Sequence, residues 1–391
     1  MKNIKEEIRK LAKEFSGEII ALRREIHRFP ELSRQEKRTM ELVCNRLNEW
    51  GISFEKQVGG YGVVAVLESN RKTRNTIAFR ADMDALPVEE KTGLPFASQV
   101  PGVMHACGHD MHTASLLGTA KILQHLKGQL DRNVKLIFQP SEEVLPGGAK
   151  PMIEAGVLKD PDVHIIAGQH VFPELEPGEV GIKPGPYMAS SDEIYLTVKG
   201  RGGHAALPGN IINPLYIASE VLLALREFSA RYSRPDSPVV LSFGGISANG
   251  QMNVVPDEVS ISGILRTFDE KVRKTLKREI IQTANTIARN NKAEVEVDFV
   301  ESYPALKNDE ELTQKFIRLA TGYLGEGKVK PLPLRATTDD FAYFIQRIPG
   351  IYYRFGAGKK AGRLHSPDFN PSEDSLAVNA GLMTYLAFFL D

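Results

Sequence analysis

Apolar side chains recur at steps of three and four along the first stretch of the chain: Ile4, Ile8, Leu11, Phe15, Ile19, Leu22 and Ile26. That period lines one face of a helix, so a single long helix is expected, ending before Pro30. A second helix is expected over roughly 34–50, stopped by Gly51. Short apolar runs rich in β-branched residues then alternate with helical patterns. The runs are Val63–Leu67, Thr76–Phe79, Val134–Phe138 and Val163–Ala167, with a helix after His109. Such alternation predicts an α/β layer around a mixed, largely parallel sheet flanked by helices. The middle of the chain follows a different rhythm. Ile194–Val198, a helix over Pro214–Phe228, Val239–Phe243, Val259–Leu265, a helix over 270–290 and Val295–Phe299 succeed one another. This β-α-β-β-α-β order is that of a ferredoxin-like unit able to fold alone.

At 391 residues the chain is too long for one ordinary core. The ferredoxin-like unit, 186–299, reads as an insertion into a discontinuous catalytic domain formed by 1–185 and 300–391. Hydrophobic and charged contents of 42% and 25% are those of a globular protein. Formal net charge is zero, with no run of like charges, so no nucleic acid or anionic membrane is expected as partner. The segment MKNIKEEIRKLAKEF has no apolar core like that of a signal peptide, and no window approaches 18 consecutive apolar residues. Two cysteines make no disulfide framework in a chain this long, so a reducing cytoplasm is the expected location.

The chemistry-bearing residues fall just after the predicted strands, where open α/β sheets place their sites. Cys107 and His109 stand two apart on a loop hinged by Gly108. A loop position favours a metal-ligand reading over simple packing, and a thiolate supplies charge that neutral imidazole lacks. Cys44 sits inside a helical apolar pattern and reads as core. Glu142 and Glu143 follow the strand ending at Phe138. Neighbouring side chains diverge on extended backbone, so one carboxylate can bind a metal while the other faces water as a base. A solvated acidic pair is the competing reading. His170 and His365, each beside turn-forming residues, complete the inventory; His27, His125 and His164 read as ordinary histidines. Asp82 and Asp84 lie on one side of a strand end, where a carboxylate can orient a ligating histidine; His112, one turn beyond His109, is another supporting candidate.

Arg80–Pro87, His105–Asp110, Glu142–Glu143, Gly168–Val171 and Leu364–Pro367 together resemble one family. It is the aminoacylase–carboxypeptidase superfamily of dinuclear metallohydrolases, in its hippurate hydrolase and auxin-conjugate amidohydrolase branch. The motifs run in family order nearly end to end. The resemblance implies two divalent ions held by Cys107, His109, Glu143, His170 and His365, with Glu142 as the base. Asp84 matches the family's acid. Asp82 stands where related branches carry histidine, a place that His109 fills here. The inserted unit resembles a dimerisation lid, whose His204 would steady an oxyanion in a neighbouring site. Asn253 and Arg266 match positions that hold a substrate carboxylate, for which Arg has the right planar fork. Two departures stand out. Thr337–Phe341 reads Thr-Thr-Asp-Asp-Phe where the family often has Gly-Ser-Glu-Asp-Phe, and Gln169 and Phe172 replace a commoner Leu and Trp around His170.

The implied function is metal-dependent hydrolysis of the amide bond of an N-acyl amino acid or short peptide. Zinc is the first choice of ion, with manganese, cobalt or nickel as alternatives. A homodimer or homotetramer is expected. A metallocarboxypeptidase and an N-acetyl-diaminopimelate deacetylase are the enzymatic alternatives. A catalytically silent metal-binding protein is the third, disfavoured because a closed structural site has no use for a spare base.

Overall fold

The structure, a computed structural model, describes residues 2–69 and 75–391. They divide into two compact units: Met1–Gly185 with Asn308–Pro333 and Asp340–Asp391, and Pro186–Lys307 with Leu334–Asp339.

The first unit carries an eight-stranded sheet. Its strands are β1 (Phe54–Val58), β2 (Gly62–Leu67), β3 (Thr76–Asp82), β4 (Asn133–Gln139), β5 (Ile165–Phe172), β6 (Val180–Ile182), β7 (Val329–Pro331) and β8 (Gly350–Gly356). Their spatial order is β1-β2-β4-β3-β5-β8-β6-β7. The central run β4-β3-β5-β8 is parallel, while β1-β2, β2-β4 and β8-β6 pair antiparallel. Every residue of β3 and β8 is buried, as in a strand covered on both faces, which is why these runs carry no polar alternation. The edges are blunted by other means: Glu55, Lys56 and Gln57 are exposed on β1, and Pro331 ends β7.

The helices include α1 (Lys2–Glu14), α2 (Ser16–Arg28), α3 (Lys37–Glu49), α4 (His109–His125), α5 (Glu310–Leu324) and α6 (Asp374–Phe389). Helix α4 is buried nearly all round, from His109 through Ala120, and packs against α2, α6 and the centre of the sheet. The long N-terminal helix expected from the apolar pattern is two helices, interrupted at Phe15. The break has a local cause. Ser16 Oγ–H bonds back to the Lys13 carbonyl at 2.8 Å, and Gly17 follows, so the backbone has a competing partner and a flexible residue at one spot. The apolar face continues across it, because Ile8, Ala12, Ile19, Leu22 and Ile26 all reach the core.

The second unit is a four-stranded antiparallel sheet, ordered Val240–Ser247, Glu258–Arg266, Asp192–Lys199, Glu294–Glu301. The helices Pro214–Tyr232 and Glu270–Asn290 pack on it around a separate core that includes Leu196, Val221, Leu225 and Ile280. Sequence gives this unit sharp helix starts: Asn213 Oδ1 accepts the Leu215 N–H, and Asp269 Oδ1 accepts those of Lys271 and Val272. The unit runs past the expected boundary at 299, to Lys307, and takes in Leu334–Asp339. Ser302 N–H bonds to Ser191 O at 3.0 Å, and Arg335 N–H to Tyr187 O at 2.9 Å. Those ladders hold both segments with the second unit rather than the first. Among the described residues no helix is long and apolar enough to cross a membrane.

Candidate metal centre

Strands β3, β4 and β5 end side by side, and α4 begins beside them. Gly108 caps α4 with φ +85°, a left-handed conformation that glycine tolerates. A Cβ on this residue would lie 2.6 Å from Val171 Cγ2, so glycine is also required by space. The turn brings Cys107 and His109 into one group, with donor atoms within 4.8 Å of each other and of His170.

Cys107 Sγ lies 3.3 Å from His170 Nε2 and 3.3 Å from His365 Nε2. Glu143 Oε1 is 3.8 Å from His109 Nε2 and 3.6 Å from His365 Nε2. Cys107–His109–His170, Cys107–Glu143–His365 and His109–Glu142–Glu143 each offer donor atoms within 4.8 Å of one another. Six residues from four separated segments therefore converge. His170 is not beside a turn, as its neighbours suggested, but inside β5 and buried. The polar pair around it is supported from elsewhere: Gln169 accepts a hydrogen bond from Asn379 Nδ2 of α6, and Asn379 Oδ1 accepts the Tyr353 hydroxyl at 2.8 Å. The Gln169 departure thus supports the packing behind His170. His365 occupies a turn with φ +63°, pinned by its N–H to Ala106 O at 2.8 Å.

The tautomers follow from the hydrogen bonds. His170 Nδ1–H donates to the Val171 carbonyl at 2.8 Å, so its Nε2 lone pair faces the thiol. His109 Nδ1–H donates to Asp84 O at 2.9 Å and lies 3.2 Å from Asp84 Oδ1. Its Nε2, although buried, has no hydrogen-bond partner, and neither has Glu143 Oε1. Buried polar atoms without partners are costly, and here they point at one another's neighbourhood. A soft thiolate, imidazole nitrogens and a carboxylate form a donor set suited to a divalent transition ion, so the residues fit the group that the sequence implies.

Asp82 and His112 are arranged differently. His112 Nδ1–H bonds to Asp82 Oδ1, and its Nε2 accepts the Val171 N–H at 2.9 Å. Both nitrogens are used, which makes His112 a support for β5 and Asp82. Asp82 also takes Arg80 Nη1. Arg80 is completely buried; its Nε bonds Gln139 Oε1 at 2.9 Å and its Nη2 bonds Asp340 Oδ1 at 2.7 Å. Asp340 in turn accepts Gln139 Nε2 and the Ala149 N–H, at 2.7 and 2.9 Å. The signal for this hub in the sequence is an arginine set among Ile77, Ala78, Phe79 and Ala81, where a charged side chain needs buried partners.

Electrostatics reflect a crowd of acids. Burial pushes His109 down, but Asp82, then Asp84 and Glu143, outweigh it and raise the imidazole to about 10. Burial raises the Cys107 thiol well above its ordinary value, and Glu143 and Glu142 add to it. Burial holds His170 well below its usual value, helped by the Arg354 guanidinium. Burial also raises Glu143, against the pull of His109. A divalent cation among these donors replaces protons that they otherwise retain.

His204, Asn253 and Arg266 belong to the second unit. His204 and Asn253 are exposed neighbours, with the Ala205 N–H bonded to Asn253 O at 3.0 Å. Arg266 is half-buried at the end of its strand.

A sheet whose strand ends gather thiol, imidazole and carboxylate donors defines a metal-dependent hydrolase of amide bonds. The model of peptidase family M20/M25/M40 matches residues 78–388, and the chain belongs to that family. It is similar to an N-acyl-L-amino acid amidohydrolase of Geobacillus stearothermophilus, 41% identical over 78% of this chain and 82% of that one. Thermostable carboxypeptidase 1 of Saccharolobus solfataricus is 37% identical over 96% of both chains. The crystal structure of a Bacillus subtilis dinuclear metal binding peptidase from the M20 family superposes with a TM-score of 0.84, at 33% identity over 96% of this chain and 98% of that one.

Proposed function

We propose that the protein hydrolyses the amide bond of N-acyl amino acids, with two divalent ions per chain held by Cys107, His109, Glu143, His170 and His365. Zinc is the first candidate, and manganese, cobalt and nickel are the others. The observation that carries this reading is Cys107 Sγ set 3.3 Å from two Nε2 atoms, with Glu142 left beside the group. Bound ions supply Lewis acidity, which lowers the pKa of water and polarises the acyl carbonyl. Glu142, next to the ligand Glu143 and buried, takes the proton of the attacking water and returns it to the leaving amine. Asp84 keeps the His109 Nδ1–H occupied and so directs Nε2 to the ion.

His204 steadies the oxyanion. Its Nδ1 accepts the Ala206 N–H at 3.1 Å, which places the ring proton on Nε2, where it can be donated. Asn253 and Arg266 take the substrate's α-carboxylate. Tyr216 and Leu223, 76% and 59% exposed and seven residues apart on one helix, support self-association through the second unit as a homodimer or homotetramer. Both cysteines are free thiols, which favours a reducing compartment such as the cytoplasm.

Elemental analysis of the purified protein, followed by assay on acetyl- and benzoyl-amino acids with each metal restored, tests the reading. Two ions per chain and turnover that stops on chelation are expected. A metal-loaded protein that hydrolyses none of these substrates sinks it. The similarity to a carboxypeptidase supports cleavage of short peptides from the carboxyl end as the second reading, which dipeptides in the same panel separate.

A further inference from the structure

Resting on that reading, we infer that Glu36 positions the general base Glu142 by holding Ser141 in a strained backbone conformation. Ser141 has φ +57°, the left-handed region that a residue with a side chain adopts at a cost. Glu142 and Glu143 come next in the chain, so their direction depends on this one residue. Glu36, completely buried, accepts both polar hydrogens of Ser141 on one oxygen: the N–H at 2.7 Å and the Oγ–H at 2.9 Å. Ser141 Oγ accepts the Arg34 N–H at 2.8 Å, and Arg34 Nη2 reaches Leu145 O at 2.7 Å on the far side of the two acids. The loop is therefore clamped at both ends.

The same stretch also holds the other half of the site. Ser33 Oγ–H donates to Asp84 Oδ2 at 2.6 Å, and that oxygen accepts the Glu143 N–H at 2.9 Å. The Ala85 N–H bonds to Glu31 O at 2.8 Å. Residues 31–36 thus form a clasp that ties the Asp84 turn, which orients His109, to the Ser141 turn, which aims Glu142. Nothing in the clasp is among the proposed ligands or needs to touch substrate. Its action is geometric, and an error of about 1 Å in a reacting group costs on the order of a hundredfold in rate.

The test compares Glu36→Ala, Glu36→Gln, Ser141→Gly and the double variant Glu36→Ala/Ser141→Gly with the metal-loaded wild type on an N-acyl amino acid that it hydrolyses. Glu36→Ala should lower kcat about 30- to 100-fold with KM within about twofold. Glu36→Gln keeps an acceptor oxygen for Ser141 and should recover kcat to within about fivefold of wild type. Glycine adopts φ +57° unaided, so Glu36→Ala should cost at least about fivefold less in the Ser141→Gly background than alone. Crystal structures of Glu36→Ala should show Ser141 leaving positive φ, and chelator competition should show the ion bound by Glu143 released more readily.

Full kcat in Glu36→Ala overturns the inference. Equal losses in the Ala and Gln variants, which would make charge or proton transfer the role of Glu36, do so too, as do multiplicative losses in the double variant. If Glu36→Ala does not accumulate folded, the Gln and Ser141→Gly variants decide. A wild type inactive on every N-acyl amino acid overturns the proposed substrate alone, because the Ser141 backbone and the chelator competition judge Glu36 without turnover.

Discussion

The two units treat their chemistry-bearing side chains in opposite ways. In the first, the candidates other than His365 are buried or nearly so, and several are backed by a second polar group: Asp84 behind His109, Val171 O behind His170, and Glu36 behind Ser141, the residue before Glu142. In the second, His204 and Asn253 stand exposed, with little beyond local backbone bonds to fix them. Enclosure with satisfied neighbours makes the first unit a preorganised centre. Exposed residues gain catalytic strength only when something excludes water around them. Their contribution should therefore be smaller and separable from stability.

The sharpest contrast comes from Glu142→Gln. It should reduce kcat by about a thousandfold while the ion content from elemental analysis stays at two per chain. Unaltered turnover would remove Glu142 from its role. On the other unit, His204→Ala should cost about tenfold to a hundredfold in kcat with ion content and melting temperature unchanged, as expected for an exposed donor. A loss of bound metal in that variant would break the distinction between the units. Gly108→Ala probes the enclosure itself: the left-handed hinge and the Val171 contact should make it about 1–3 kcal/mol less stable in urea unfolding, with weaker metal retention.

The smallest effect concerns a support further back. Asp110, one residue past His109, shares an oxygen between Arg23 Nε at 2.7 Å and His27 Nδ1 at 2.8 Å, and His27 reaches Glu90. Burial pushes the Glu90 carboxyl up, but His27, Thr92 and the Ser98 N–H hold it down to about 2. The folded protein binds this proton less readily than the unfolded chain. Its stabilisation is therefore complete above the ordinary carboxylate value near 4.5 and is lost as pH falls toward 2. Glu90→Gln should flatten that part of the curve of melting temperature against pH, and an unchanged slope would refute the assignment.

Much of this was legible in the sequence because the physics was local. Strands β2, β3 and β4 announced themselves as apolar runs, and the second unit by its alternation in Asp192–Lys199. Other features depended on partners far along the chain. β5 was expected to stop at Ala167, since Gly-Gln-His reads as a turn; partners such as Asn379, 210 residues away from Gln169, let those polar residues remain in a buried strand. Nothing beside Glu36 in the sequence marks it as buried, because its partner is Ser141, 105 residues on. Arg80 was visible inside a motif, but Asp340, which makes sense of it, lies beyond the inserted unit. The helix break at Phe15 escaped because the apolar stripe crosses it uninterrupted.

Cys107 and His365 are 258 positions apart, yet they share one contact. If the proposed ligand set holds, a ribosome that has translated the thiol, both glutamates and two of the imidazoles has still produced an incomplete site. Helix α6, which covers α4, is likewise synthesised after the last of these donors. On the proposed ligand set, hydrolytic competence waits for His365, so a polypeptide ending before that residue would remain harmless to the amides around it.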